Sequence, residues 1–285
     1  MADKTRGGWL WKLLRLWGLY ARMDFMIMTR DLKTFLSWTI ADGLLNIAAI
    51  SGMLLLAERF AGIGNWNKYQ VIFLLGYSAL IDGIVGTFFN YNVAFISRRI
   101  GRGQFDHTLI QPQPIWLSLL TEGFSPAFGV TMLLPGLGLM CWAVGHLALH
   151  VSAGWLLLLA LNCGASALIV LAFQFLWGSL AFWSPRAAEE VNSSTMRLIT
   201  QLKSYPLDGL NMALTGGLLT LLPVGFVAWM PCRALLGLEP YEPGVWITPL
   251  AALLFWGATA AIFRQGMKHY GRTGSQRYSL FGHRR

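Results

Sequence analysis

The chain predicts an all-α, polytopic membrane protein with six transmembrane helices, an N-terminal interfacial amphipathic helix and both termini cytoplasmic. Three observations carry this reading. Of 285 residues, 55% are apolar and only 12% charged. The apolar residues gather into runs of about 20 or more, and the basic residues collect in alternate loops between those runs. A run of that length crosses a hydrocarbon core of about 30 Å. Lipid offers no partner to backbone N–H and C=O groups, so each run must be helical, whereas a barrel would show alternating segments of about 10 residues.

The first element is the cytoplasmic segment 1–34. Leu10, Leu13, Leu14, Trp17 and Ala21 recur at helical spacing, with Lys12, Arg15 and Arg22 on other faces. That pattern predicts a helix lying on the cytoplasmic leaflet, either a plain anchor or a lever that also touches a cytoplasmic subunit. Charge mixed into the apolar residues and the lack of a small-residue cleavage site argue against a cleaved signal peptide. A transmembrane domain follows over 35–263, with spans at about 35–57, 71–96, 118–145, 153–183, 210–230 and 245–263, and a basic cytoplasmic tail occupies 264–285. Pro135 and Pro223 fall inside spans and are expected to kink them. Ala48 with Gly52, Ala160 with Gly164, and the Gly216–Gly217 pair are small-residue sites for close helix packing.

Between the fourth and fifth spans, 187–203 reads as a polar helix on the cytoplasmic face, with Glu189 and Glu190 in its first turn and Lys203 near its last, as the helix dipole favours. Between the fifth and sixth, 231–244 combines aromatic, Pro and Gly residues in a stretch too short to cross, which fits a re-entrant or interfacial segment on the outer face.

Charge sets the orientation. Seven basic residues precede the first span, three lie in the second loop, three in the fourth and six in the tail, whereas Arg59, Lys68 and Arg233 alone fall on the opposite face. Both termini and the second loop are therefore expected in the cytoplasm. The net charge of +9 needs no nucleic acid to explain it, because anionic lipid headgroups attract such a surface. No nucleic-acid partner is expected.

Motifs for catalysis are missing from the sequence. There is no GxxxxGK[ST] phosphate loop, no GxSxG elbow and no HExxH pair, and Cys141, Cys163 and Cys232 lack metal-ligand spacing. The chain is read as no enzyme, with no cofactor or metal of its own. Any nucleotide energy must come from another chain.

Three acidic residues lie in or beside the spans, where a charge costs several kcal/mol unless paired or hydrated. Asp42 has Asn46 one turn further on the same face, Asp82 is mid-span with Asn90 beyond it, and Glu122 lies near the cytoplasmic edge. They form either a polar pathway, such as a proton relay, or an interhelical hydrogen-bond network. Glu122 has the further option of capping a helix.

The polar island SRRIGRGQFDHTLIQPQPIW, 97–116, is the most distinctive stretch, a basic and turn-rich loop held between two spans. It is followed by FWSPRAAEE at 182–190, KSYPLDGL at 203–210, LLPVGFVAWMPCRALLG at 221–237 and a closing GMKHYGRTGS at 266–275. In order and spacing these blocks resemble the six-span branch of the ABC-2 type exporter permeases, over most of the chain after residue 95. One departure is Leu109-Ile110-Gln111-Pro112, where the family usually carries a Leu-Leu-Arg-Pro type segment.

The resemblance implies a permease subunit in the bacterial cytoplasmic (plasma) membrane, a multi-pass protein forming half of a substrate pathway with a second permease subunit of the same or a homologous chain. Two separate ATP-binding subunits holding ATP and Mg would drive it. The 97–116 loop would couple to them, with Gly101 and Gly103 permitting the turn and Arg98, Arg99, Arg102, Phe105 and Asp106 making contacts. The loop's basic residues also suit a plain topological stop. A different class remains open from the residues alone: a proton- or ion-coupled carrier using Asp42, Asp82 and Glu122, or a non-transporting membrane assembly protein.

Overall fold

The computed structural model describes residues 9–59, 62–63, 65–94, 96–111, 114–208, 210–238 and 244–274. Helix α1 (Trp9–Arg30) and helix α2 (Leu32–Arg59) meet at Asp31, whose carboxylate accepts from the Thr34 amide at 3.2 Å and so caps the start of α2. As expected, α1 is amphipathic. Leu13 is buried, and the Trp17 ring stacks on Phe124 at 5.5 Å and tilts against Phe88 at 5.1 Å.

A minimal antiparallel hairpin, β1 (Gly62–Ile63) and β2 (Trp66–Asn67), turns the chain into helix α3 (Lys68–Ala94). Asn67 and Gln70 cap α3 reciprocally. The Asn67 side chain accepts from the Gln70 amide at 2.9 Å, and the Gln70 side chain accepts from the Asn67 amide at 2.8 Å. Three short helices then follow, α4 (Ile96–Gly101), α5 (Phe105–Leu109) and α6 (Ile115–Thr121), before α7 (Pro126–His146). The expected span 118–145 is thus divided, with α6 set apart from α7.

Helices α3 and α7 pack backbone to backbone. A Cβ on Gly76 would lie 2.8 Å from the Met140 nitrogen, and one on Gly136 would lie 2.6 Å from the Leu80 nitrogen. Within the chain, Gly52, Gly164, Gly216 and Gly217, singled out in the sequence for contacts within or between chains, take no part in this packing, since a Cβ on any of them would have nothing within 4 Å. Gly76 with Gly83, and Gly129 with Gly136, recur seven residues apart on the facing sides instead.

Helix α8 (Ala153–Ser179) is capped by the Ser152 hydroxyl, which accepts from the Trp155 amide at 3.2 Å, and continues through a 3₁₀ turn, Leu180–Phe182. Helix α9 (Pro185–Leu202) follows, then α10 (Met212–Thr220), a π-helical turn (Gly225–Trp229), α11 (Met230–Leu235) and the long α12 (Gly244–Thr273). Among the described residues, five helices are long and apolar enough to cross a membrane, and a sixth candidate is the pair 212–220 and 225–235, bent by 82°. This is the architecture of an all-α, polytopic membrane protein.

The expected fifth span, 210–230, is not one helix. Pro223 lacks an N–H and its ring clashes with the preceding turn, so the helix breaks there. Both ends of the bent segment are tied to the same end of the bundle: Asp208 binds Trp66 beside the start of α3, and the Trp155 indole near the start of α8 donates to the Leu235 carbonyl at 3.0 Å.

The chain makes its journey between the bundle's ends through α9 instead. Ala188 packs in a cluster with Ile100 and Phe105, at what is here termed the inner end, while Ile199 packs in a second cluster with Trp66 and Trp229 towards the outer end. Lys203, expected in a cytoplasmic loop, pairs with Asp82 halfway along α3, and the Ser204 and Ser78 hydroxyls bond at 2.7 Å. The hydropathy of PRAAEEVNSSTMRLITQL hid this route, because only one face of α9 packs on the protein.

Candidate functional site

The inner end is built around the loop 97–111. Ile96 and Ile100, one turn apart, are both buried and orient α4, which leaves the intervening arginines to reach sideways. Arg98 pairs with Glu189 at the start of α9, at 2.7 Å. Arg99 pairs with Glu122, just beyond α6, at 2.8 Å, and also donates to the Thr108 hydroxyl at 3.3 Å. The loop is thereby fixed to two neighbouring elements.

Gly101 ends α4, and Gly103 takes a left-handed conformation with φ of 71°. The Gly103 amide donates to the Ile100 carbonyl at 3.0 Å and the Gln104 amide to the Arg99 carbonyl at 2.9 Å. These two bonds form a Schellman motif, which needs a residue that tolerates positive φ at the Gly103 position. The motif turns the chain directly into α5.

Phe105, the first residue of α5, is fully buried. Its ring meets Phe182 edge-on at 5.6 Å and Tyr270 at 5.8 Å, and Phe182 in turn contacts Phe263 and Tyr270. The Tyr270 hydroxyl donates to the Asp106 carboxylate at 2.5 Å. The loop is therefore locked to α12 by an aromatic cluster and one charge-assisted hydrogen bond. Arg102, Gln104, His107, Leu109 and Ile110 point outward, with Ile110 80% exposed.

Gln111 stands where the resemblance read from the sequence would place an arginine. Its amide donates to Glu122 at 3.3 Å and its carbonyl accepts from the Ser118 hydroxyl at 2.7 Å. Arg99 already supplies the positive charge that Glu122 needs, so a neutral donor suffices. Tyr20 of α1 lies near the same pair: burial pushes its phenol above the ordinary value, Glu122 adds to the rise and Arg99 opposes it.

The three acidic residues read from the sequence do not form a common network. Glu122 belongs to the loop. Asp82 has Lys203 as its partner. Asp42 accepts from Asn46 at 3.1 Å, one turn away as expected, and from Thr131 of α7 at 3.3 Å. Asn90 falls within α3, and its side chain lies outside the described residues.

At the outer end, sequence reasoning missed a cluster centred on Asp208. The Asp208 carboxylate accepts from the indoles of Trp66 at 2.5 Å and Trp229 at 2.6 Å and pairs with Arg233, whose guanidinium sits 5.0 Å from the centre of the Trp229 ring. This cluster pins the bent segment to the start of α3. Its signal was present as a lone acid in KSYPLDGL and a lone base in MPCRALLG, 25 residues apart, which no local pattern joins.

Fold and site together define a polytopic helical membrane protein whose basic 97–111 loop is bonded to α9, α12 and the end of α6 while its Arg102, Gln104, His107 and Ile110 side chains stay exposed. Residues 44–274 match the ABC-2 family transporter protein, and the chain belongs to that family. No curated protein and no solved structure gives a significant match.

Proposed function

We propose that this chain is the permease subunit of an ATP-driven exporter in a bacterial cytoplasmic membrane, itself without catalytic activity, paired with a second permease subunit and driven by two separate ATP-binding subunits that hold ATP and Mg. The observation that supports this best is the division of labour in the loop. Arg102, Gln104, His107 and Ile110 are free to meet a partner, while Phe105 and Asp106 engage Phe182 and Tyr270 within the chain. A partner shifts a membrane equilibrium only through contacts that differ between its states. In this reading the exposed face docks on the ATPase, and Phe105 and Asp106 pass the displacement to α12.

The exposed side of α9 supports a path between two permease subunits. Arg186, Glu190, Ser193, Arg197 and Gln201 recur at helical spacing on its exposed face. A face with that many charges is poorly covered by lipid tails, and it suits a hydrated path shared with the second subunit.

Co-purification with candidate ATP-binding subunits tests the proposal, using wild type, an Arg102→Glu, Ile110→Asp variant and an Asp106→Asn variant. The exposed-face variant is expected to lose association, and Asp106→Asn to keep association but lose permease-stimulated ATP hydrolysis. Undiminished association of the exposed-face variant would overturn the docking role. Proton movement by the purified chain in liposomes, dependent on Asp42 or Asp82 and needing no ATPase, would replace the exporter reading with a carrier.

A further inference from the structure

Two carboxylates lie well inside apolar spans, and they are treated differently. Asp82 is neutralised by Lys203. Asp42 is exposed, and among the described residues its hydrogen-bond donors are the neutral Asn46 and Thr131, with no ion pair. A carboxylate at the edge of hydrocarbon costs several kcal/mol unless a positive charge or water meets it.

Beside Asp42 runs a cleft of about 500 Å³ between α1, α2 and α7. Met28, Phe35, Leu134 and Pro135 give it apolar walls, and Thr39 and Thr131 supply its polar edge. Thr131 is the residue that donates to Asp42, so the acid stands at the rim. The volume is in the range of sites for drug-sized ligands. Depth matters as well. Thr131 is five residues beyond Pro126, about 7 Å along α7, and Asp42 is ten residues beyond Leu32, about 15 Å along α2, so the acid stands inside the span on the side of the inner end.

We propose that this cleft is a binding site for a cationic amphiphile taken from the inner leaflet, with the cation on Asp42 and the apolar chain along Phe35, Leu134 and Pro135. The inference rests on the permease reading and names the class of molecule that such a permease admits. Charge complementarity selects the occupant: an uncharged or anionic amphiphile leaves Asp42 without a counter-charge in a place where water is scarce. A membrane aminolipid and a foreign amphiphilic amine share the required chemistry.

The test uses the full-length chain in phosphatidylcholine nanodiscs, titrated with a fluorescently tagged alkyltrimethylammonium and with the matched tagged alkyl alcohol. Saturable binding of the cation at least tenfold tighter than that of the alcohol is expected. Asp42→Asn, which keeps the bonds to Asn46 and Thr131 possible, should weaken the cation at least tenfold and leave the alcohol unchanged, while Leu134→Trp should fill the cleft and weaken both. Competition by phosphatidylethanolamine built into the nanodisc would identify a membrane lipid as the source. Competition only by an added soluble amphiphilic amine would identify a foreign one, and either supports the site.

Equal affinity for cation and alcohol, or an Asp42→Asn variant that binds like wild type, overturns the proposal. So does an Asp42→Asn variant that separates paired copies of the chain, since the face would then be a subunit contact. ATPase association measured on the same preparations is an independent readout. Its absence strikes the exporter reading, and a failure of probe binding alone strikes only the cleft.

Discussion

Phe105 has the most demanding environment of any residue in the loop, because its whole ring is taken out of solvent against Phe182 and Tyr270. Phe105→Ala is expected to cost about 3–5 kcal/mol, the usual range for emptying a buried aromatic site, while Phe105→Leu should cost much less. Thermal unfolding in detergent measures the difference, and equal melting temperatures for the two variants would contradict the packing described. At the outer end, the Lys68 hydrogen bond and charge hold the Glu58 carboxyl below its ordinary value. A carboxylate with a lowered folded-state pKa contributes stability above the ordinary glutamate value of about 4.3 and loses it as pH falls through the folded value. Amide exchange at Trp66 and Asn67 should therefore lose protection on acidification below that point, and Glu58→Gln should flatten the response.

Elements are positioned by how closely their backbones approach. Gly136 faces Leu80 so tightly that Gly136→Ala must push α3 and α7 apart, at a cost of about 1–3 kcal/mol for overpacking, whereas Gly138→Ala on the open side of the same helix should be neutral or slightly stabilising. A lower melting temperature for the first variant and not the second is the expected result. The route of α9 makes a second prediction at this scale. With the native cysteines replaced, a single cysteine at Ala187 should react with an impermeant thiol reagent only from the side of the basic loops, and one at Leu210 only from the other side. Labelling of both from one side would return the fifth crossing to 210–230.

Across the whole molecule, two apolar clusters at opposite ends are linked by α3, α8, α9 and α12, each of which contributes side chains to both. The inner loop is therefore joined by continuous helices to the far end, where Asp208 and Arg233 hold the bent segment. The Asp82–Lys203 pair ties the end of α9 to the middle of α3. Lys203→Met should destabilise by up to about 3 kcal/mol, less than a fully buried pair because the Asp82 side chain is 35% exposed, and Asp82→Asn added to it should restore much of the loss. Denaturation of the two variants in the same detergent gives the comparison. A double variant no better than the single one would mean that Lys203 acts through packing alone.

The sequence by itself determined the membrane class, the apolar segments that became α2, α3, α7, α8 and α12, the amphipathic start, and the turn around Gly103, because hydropathy, charge bias and glycine chemistry are local quantities. It also placed Asn46 on the same face as Asp42, since one helical turn is legible at short range, and the two side chains are hydrogen-bonded. Tertiary structure decided what joins distant residues: Arg98 to Glu189, Asp106 to Tyr270, Asp82 to Lys203 and Asp208 to Trp66. It also decided that a polar helix makes the journey between the two ends while an apolar stretch bends back at Pro223. Hydropathy averages a segment over all its faces, but packing covers one face at a time, so α9 needs only its buried side to be apolar and a broken segment need not cross however apolar it is.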